Sequence, residues 1–326
     1  MSLGIGVIGA GIMGAEHARI VAEETHGAHL AAVCDADPAR AASAARGGQA
    51  LTDPHALIAS DAVKALVIAT PDTTHVEYAL AALARGKPVL CEKPLAAHAK
   101  EGLRVVEAET RLGRRLVQVG FMRRFDPGYG DMRRARLDGR LGAAIALHNV
   151  HRNLSAPASF TPPLAVKGSF VHEADISRWL LGTEMVEAQA FLTRPGLMMI
   201  VMRTDRGELV STEVHVNCGY GYHVHAQLVA AKGTIEMAPP ARTLTNHAGV
   251  QSFGFPDDWV PRFADAYRCQ MQAWVNAAAA GGATGASAWD GYVATAICEQ
   301  IAASLPEGRP VKIALEARPG LYAENG

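Results

Sequence analysis

Cysteine is scarce in this chain of 326 residues. The five cysteines are odd in number, widely spaced and never arranged as Cys-x-x-Cys: Cys34, Cys91, Cys218, Cys269 and Cys298. This spacing argues against both a disulfide framework and a thiolate metal site. A reducing compartment, the cytoplasm, is therefore the expected location.

Net charge is also nearly absent, because 31 lysines and arginines face 32 aspartates and glutamates. Such a balance provides no overall field that would attract nucleic acid or an anionic membrane. No apolar run reaches the roughly 18 to 20 residues that span a bilayer, and a strand pattern begins almost at Met1 with no basic segment before it. We expect a cytoplasmic protein that binds a small molecule, with no nucleic-acid or membrane partner.

Two domains are expected, because single hydrophobic cores stop growing near roughly 250 to 300 residues. In residues 1–120, five short apolar strands alternate with segments of helical periodicity. The predicted strands are 4–9, 30–34, 65–69, 88–91 and 116–120. This alternation predicts βαβ units and a parallel sheet, an N-terminal Rossmann fold in an α/β protein.

Residues 121–326 have a different pattern, in which period-two alternation dominates. The predicted strands are 143–150, 186–191, 198–203, 208–216 and 224–230, and helices are expected at 171–181 and 262–280. The pattern predicts an α+β domain with a mainly antiparallel sheet that leaves one face open. The apolar alternate positions of two strands, Val214 with Val216 and Ala226 with Leu228, are expected on that open face.

Residues 9–14 form a G-x-G-x-x-G segment between a predicted strand and a predicted helix. Glycines at this spacing allow a tight turn and let a pyrophosphate approach the helix N-terminus. The alternative is a turn that merely tolerates glycine, but the strand and helix on either side favour dinucleotide binding. The candidate cofactor residues here are Gly9, Gly11, Ile12 and Met13.

Asp35 ends the second predicted strand, 21 positions after Gly14. A carboxylate there accepts hydrogen bonds from the adenosine ribose and repels a 2′-phosphate. The expected cofactor is therefore NAD, while the nearby Arg40 leaves minor NADP use open.

The turn Thr70-Pro71 with His75 follows the third predicted strand, and Glu92-Lys93-Pro94 follows the fourth. A lysine at this edge of a doubly wound sheet can contact both the nicotinamide ribose and a substrate hydroxyl. A lone lysine is more often a solvated surface residue. The order of these segments resembles the Gfo/Idh/MocA oxidoreductases, which implies that Thr70, Pro71, His75, Glu92 and Lys93 contribute to the cofactor site.

Within that family, five separated motifs are most similar to those of inositol 2-dehydrogenases: 118–126, 151–153, 172–175, 217–222 and 289–292. The resemblance implies that Lys93 and His172 are catalytic. It also implies a set of residues lining the substrate or nicotinamide site: Met122, Arg123, His151, Asn153, Asp175 and Tyr222.

The implied reaction is oxidation of a ring hydroxyl of an inositol, a related cyclitol or a sugar, with NAD as hydride acceptor. A neutral imidazole at His172 can take the hydroxyl proton, and Lys93 can orient the hydroxyl and stabilise developing oxyanion charge. Asp175 lies one helical turn from His172 and shares its face. Without the family pattern, we would interpret His172 as a structural histidine and Asp175 as a charge at a helix N-terminus.

Gly168 departs from the family pattern, in which an aspartate stands four positions before the histidine. Loss of one member of a catalytic unit commonly costs orders of magnitude in rate. Either Glu173 or Asp175 compensates, or the substrate differs. A further alternative is altered or lost catalysis: a non-catalytic NAD-binding protein, or a sugar epimerase or eliminase that recycles its NAD.

No metal site is expected, because His223 and His225 stand two apart on a strand without a third ligand. The family resemblance implies a homotetramer or homodimer joined through the open sheet of the second domain.

Overall fold

The computed structural model describes residues 2–193, 196–238 and 243–323. The chain divides into two compact units, the first made of 1–122, 265–295 and 315–326 and the second of 123–264 and 296–314. The chain thus returns to the first unit after residue 264. The predicted boundary between residues 120 and 121 divides the chain only once and does not describe this return. No helix in the described ranges has the length and apolar character that crossing a membrane requires.

The first unit contains a parallel six-stranded sheet in the order β3-β2-β1-β4-β5-β6. Its strands are β1 (Leu3–Ile8), β2 (Ala28–Cys34), β3 (Gln49–Leu51), β4 (Ala65–Ile68), β5 (Val89–Cys91) and β6 (Val117–Val119). The predicted Rossmann fold is confirmed. β3 was not predicted, because it is a three-residue edge strand with largely exposed side chains and no apolar run.

Five helices connect these strands: α1 (Ile12–Glu23), α2 (Pro38–Ala44), α3 (Pro54–Ala59), α4 (His75–Leu83) and α5 (Ala99–Leu112). The α2 and α3 helices begin with the same device. Asp37 and Asp53 accept hydrogen bonds from backbone N–H groups of the first turn, and a proline follows each. Such caps satisfy donors that have no partner within the helix.

The carboxyl ends of β1, β2, β4 and β5 meet at one edge of the sheet because all four strands are parallel. The strand order reverses between β1 and β4, which is where doubly wound sheets bind ligands. The loops that follow these strands carry the predicted cofactor residues.

The second unit contains a seven-stranded sheet in the order β12-β11-β7-β10-β9-β8-β15. Its strands are β7 (Ala144–Arg152), β8 (Met185–Leu192), β9 (Met198–Thr204), β10 (Leu209–His215), β11 (His223–Ala230), β12 (Gly233–Glu236) and β15 (Val311–Lys312). β7 and β10 pair in parallel and the other neighbours are antiparallel. The predicted mainly antiparallel sheet is therefore confirmed. A separate hairpin consists of β13 (Thr245–His247) and β14 (Val250–Ser252).

The remaining helices are α6 (Pro127–Leu137), α7 (Pro162–Ala165), α8 (Val171–Leu181), α9 (Trp259–Arg262), α10 (Ala264–Ala279) and α11 (Ala288–Ser304). The α8 helix has the predicted bounds and ends at Gly182, whose φ of 63° suits glycine. A π-helical turn, Val166–Phe170, precedes it. The α11 helix was not predicted, since residues 291–298 are buried on every side and show no helical stripe.

The residues predicted to lie on the open face of the second sheet were the wrong ones. Val214, Val216, Ala226 and Leu228 are at most 8% exposed within the single chain, so they belong to its core. The alternate residues of β10 and β11 are the more exposed ones. Period two separates two sets of side chains but does not say which set faces the core.

Candidate active site

The glycine segment forms a tight turn after β1. Gly9 has φ 91°, and a Cβ atom there would lie 2.5 Å from the carbonyl oxygen of Ala69. A Cβ on Gly14 would collide with the carbonyl oxygen of Gly9. Glycine is therefore required at both positions for the turn to pack against β4 and its following loop.

Gly11 differs from these two glycines because the side on which a Cβ atom would project is empty. A Cβ there would meet no atom within 4 Å. Gly11 caps α1 without a side-chain hydrogen bond, and no acidic residue lies in the first turn. Ile12 beside it is 70% exposed. A helix N-terminus of this kind suits a pyrophosphate, which needs close approach to backbone N–H groups.

Asp35 lies against the same turn. Its Oδ2 accepts a hydrogen bond of 2.7 Å from the Ala10 N–H, and its Oδ1 accepts one of 2.9 Å from the Asp37 N–H. A carboxylate offers about four lone-pair sites, so ribose hydroxyls can still bind. The exposed Arg40 guanidinium lies 3.5 Å from Asp37.

His75 connects the two other predicted cofactor segments. Its Nε2 lies 2.8 Å from the carbonyl oxygen of Thr70, and its Nδ1 lies 2.8 Å from that of Pro94. The residue is only 2% exposed. Its ring nitrogens thus contact the protein backbone, which makes His75 a support for these turns.

Glu92 and His17 form a buried pair beneath Lys93. The Nε2 of His17 lies 2.7 Å from Glu92 Oε1, and the Lys93 N–H donates to Oε2 at 3.2 Å. Burial by itself would raise the pKa of Glu92, but His17 and then Lys93 hold it below its usual value. His17 was missed from the sequence, although a histidine on the inner face of α1, three residues after Gly14, was a usable signal.

A second cluster lies wholly within the second unit. Arg123 donates to Oε1 of Glu173, and Oε2 of Glu173 lies 3.0 Å from Nδ1 of His151. All three residues are at most 2% exposed. Burial by itself would raise the pKa of Glu173, but Arg123 and His151 hold it below its usual value. Glu173 orients the His151 ring, because a carboxylate can only accept the Nδ1 proton.

His172 and Tyr222 stand beside His151. The ring centres of His151 and His172 are 6.4 Å apart, and those of His151 and Tyr222 are 6.0 Å apart. Burial raises the pKa of Tyr222, which keeps its hydroxyl protonated as a donor. Four of the predicted substrate-site and catalytic residues therefore lie together in the structure: Arg123, His151, His172 and Tyr222.

Asp175 makes a two-point ion pair with Arg124, at 2.9 Å to Nε and 2.5 Å to Nη2. The carboxylate is 1% exposed, and the arginine side chain is 8% exposed. Bidentate geometry of this kind is the strong form of the arginine–carboxylate contact. Arg124 was not predicted, because the sequence cannot tell which of two adjacent arginines meets which carboxylate.

Asn153 follows β7 and is fixed through its backbone, which donates to His215 and accepts from Cys218, both at 3.0 Å. Its side-chain Oδ1 is buried and has no hydrogen-bond partner among the described residues. Met122 is 1% exposed and belongs to the first unit. The contacts of Asn153 and Met122 with substrate stay predictions.

Gly168 lies in the π-helical turn that leads into α8. A Cβ atom there would come within 3.2 and 3.3 Å of the Phe160 ring. The aromatic ring thus occupies the side of the helix on which a residue 168 side chain would start. Glu173 and Asp175, the two carboxylates considered as compensating for this glycine, each pair with an arginine.

The two strand histidines make local contacts. His223 Nδ1 lies 2.8 Å from the Tyr220 hydroxyl, and His225 lies 3.6 Å from Glu236. Across the described ranges, no three histidine, cysteine or acidic side chains are grouped to hold a metal ion. All five cysteines are free thiols.

The glycine turn on a reversing parallel sheet, together with a second unit that carries a buried histidine cluster, defines a dinucleotide-dependent oxidoreductase. The chain belongs to the Gfo/Idh/MocA oxidoreductase family. Residues 3–121 match the family profile described as "NAD-binding Rossmann fold", and residues 165–313 match its "C-terminal alpha/beta domain". The predicted family resemblance is confirmed.

Several full-length relatives are named inositol 2-dehydrogenase. The chain is 47% identical to inositol 2-dehydrogenase 2 of Saccharopolyspora erythraea, with 99% of both chains covered. It is 39% identical to inositol 2-dehydrogenase of Paracoccus denitrificans, covering 99% of this chain and 100% of the relative. A solved structure of Lactobacillus casei myo-inositol dehydrogenase in complex with NAD(H) and myo-inositol matches with a TM-score of 0.94 at 27% identity, covering 99% of this chain and 100% of that one.

Proposed function

We propose that this chain is an NAD-dependent dehydrogenase that oxidises a ring hydroxyl of an inositol, or of a closely related cyclitol or sugar. The observation that carries the proposal is the 47% identity over the full length to a relative named inositol 2-dehydrogenase. The cluster of Arg123, His151, His172 and Tyr222 supports it, since these side chains supply the base and the polar wall that a polyol requires.

The dinucleotide fits the residues of the first unit. The open side of Gly11 and the uncapped start of α1 suit a pyrophosphate, and Asp35 suits an unphosphorylated ribose. Ile12, Met13, Thr70 and Pro71 are assigned to the same cofactor. When bound, NAD⁺ supplies the hydride acceptor. Asp35 favours NAD over NADP, because its negative charge opposes a 2′-phosphate.

Each side chain has a role in this proposal. His172 accepts the hydroxyl proton, and Lys93 orients the hydroxyl and stabilises the negative charge that develops on its oxygen. Glu173 holds the His151 ring through Nδ1, which directs its other nitrogen for contact with a neighbouring hydroxyl. The remaining substrate contacts are assigned to Met122, Arg123, Asn153, Asp175 and Tyr222.

We further propose a cytoplasmic homotetramer or homodimer joined through the open face of the second sheet. The support is the pattern of outward residues, which includes exposed or partly exposed apolar side chains such as Phe191 (49% exposed) and Leu209 (45% exposed). Large apolar side chains on one sheet face are typical of interfaces. Light scattering on a size-exclusion column tests this state, and a monomer at micromolar concentration would contradict it.

The activity is tested by NADH formation at 340 nm, with NAD⁺ and separately NADP⁺, across inositol isomers, aminocyclitols and aldoses. Wild type is compared with Lys93→Met and His172→Asn, and with His55→Gln as a matched control. His55 is an exposed histidine that bonds Glu77 on the surface of the first unit. We expect activity with an inositol, its loss in the first two variants and its retention in the control.

Two outcomes would overturn the proposal. Tight NAD binding without NADH formation from any polyol would favour a non-catalytic protein. Product formation with no net NADH would favour an epimerase or eliminase that recycles its cofactor. The names of the relatives give no support to either alternative.

A further inference from the structure

The environment of His75 restricts its protonation state. Its two ring nitrogens each lie 2.8 Å from a backbone carbonyl oxygen, of Thr70 and of Pro94. A carbonyl oxygen can only accept a hydrogen bond, whereas a neutral imidazole has one N–H and one lone pair. In either neutral tautomer, one of the two contacts would place a lone pair against a lone pair. Only the doubly protonated ring can donate to both oxygens.

We infer that His75 is a buried imidazolium that ties the Thr70–Pro71 turn to the Lys93–Pro94 turn. The first turn follows β4 and the second follows β5, so one charged ring joins the loops of two neighbouring strands. Hydrogen bonds from a charged donor are roughly twice as strong as neutral ones, and bonds to the charged form of a ring favour that form against the cost of burying it. His75 is thus a positioning residue for the backbone next to Lys93.

Three acidic groups on α4 and neighbouring elements make contacts of their own. On α4 itself, Glu77 is exposed and bonds His55 of α3. Beyond β5, Glu92 pairs with His17. On α5, which also packs against α4, the buried Glu109 accepts from two backbone N–H groups and from a tyrosine hydroxyl. The contacts of the His75 ring nitrogens are the two neutral carbonyls, so the charge is held by hydrogen bonds and not by a carboxylate.

The direct test is a long-range ¹H–¹⁵N spectrum of the histidine rings in the ¹⁵N-labelled protein at pH 7.5. The His75 resonances are assigned by comparison with His75→Gln, or by triple-resonance experiments if that variant does not fold. We expect both His75 nitrogens to resonate as protonated nitrogens. One His75 nitrogen at the position of an unprotonated nitrogen would overturn the inference.

The positioning role has its own readout, which does not require the substrate. NAD⁺ binding is titrated by fluorescence for wild type, His75→Gln and the control His55→Gln. Glutamine has a single side-chain nitrogen, so it cannot reach both carbonyl oxygens as the two separated ring nitrogens do. We therefore expect about tenfold or greater loss of NAD⁺ affinity in His75→Gln, since a hydrogen bond from a charged group commonly contributes that much. Unchanged affinity in a folded His75→Gln would contradict the positioning role.

Discussion

Phe160 and Gly168 fit against each other: the phenyl ring lies 3.2 Å from the point where a Cβ atom on residue 168 would stand. The family resemblance leads us to expect an aspartate at position 168, four positions before His172, the proposed base. An aspartate side chain at position 168 would therefore require the Phe160 ring to shift.

Gly168→Asp is predicted to be tolerated better when Phe160 is also shortened. A Cβ at this distance forces the ring aside, and overpacking of this kind costs about 1 to 3 kcal/mol. Urea unfolding of Gly168→Asp, Phe160→Ala and the double variant measures the coupling. We expect the aspartate to cost at least about 1 kcal/mol less in the Phe160→Ala background, because residues in contact are energetically coupled. Additive costs would show that the ring does not oppose the side chain.

Glu173→Gln is predicted to destabilise the protein by about 3 to 5 kcal/mol, because it leaves the buried Arg123 without its counter-charge. The pKa of Glu173 is lower in the folded protein than its ordinary value of 4.5. Its contribution to stability is therefore complete above pH 4.5 and falls as the pH drops through the folded-state pKa.

Free energies of unfolding for wild type and Glu173→Gln, measured from pH 7 to pH 3, test both statements about Glu173. The difference between the two proteins should be largest near neutral pH and should shrink below pH 4.5. A difference that stayed constant with pH would mean that the carboxylate is not charged in the folded protein.

Arg124→Lys is predicted to be costly although it keeps the charge. An ammonium group cannot make the two-point contact with Asp175, so one carboxylate oxygen loses its partner in a buried site. We expect a loss of about 1 to 3 kcal/mol in thermal or urea unfolding. The matched control is Arg134→Lys, whose partner Asp131 is also on the surface and whose own side chain is 75% exposed. Equal effects of the two substitutions would contradict the account.

Asp35→Asn is predicted to shift cofactor preference toward NADP⁺ by about tenfold or more, equivalent to about 1.4 kcal/mol or more. The amide oxygen can still accept from the Ala10 N–H, so the glycine turn keeps its support while the repulsive charge is removed. The ratio of kcat/KM for NADP⁺ and NAD⁺ is the measurement. An unchanged ratio would assign the preference to other residues.

Much of the cofactor half could be predicted from the sequence, because it depends on local signals. The glycines of residues 9–14 and Asp35 are read from their spacing to a strand and a helix, and the structure places Asp35 against that turn. The contribution of His17 was overlooked, because its partner Glu92 is 75 positions away. Pairings over such separations are made by the fold and leave no spacing pattern.

The rest of the chain was less predictable for the same reason. The bounds of α8 followed from its periodicity and from Gly182, whereas the packing of Phe160 on Gly168 joins a loop to a π-helical turn. The α11 helix is buried on all sides over residues 291–298, so it has no polar face to reveal its period. The alternation along β10 predicted the strand, but the residues expected on the open face are the buried ones.

The most direct test of the proposed reaction is the fate of the hydrogen on the carbon that is oxidised. Myo-inositol deuterated at all six ring carbons is incubated with NAD⁺ and the wild-type protein, and the NADH is analysed by mass spectrometry. The account predicts deuterium in the NADH, a slower rate than with unlabelled inositol, and neither product nor label transfer in His172→Asn. Unlabelled NADH, or deuterium that returns to the sugar product without NADH accumulating, would contradict direct oxidation of the ring hydroxyl.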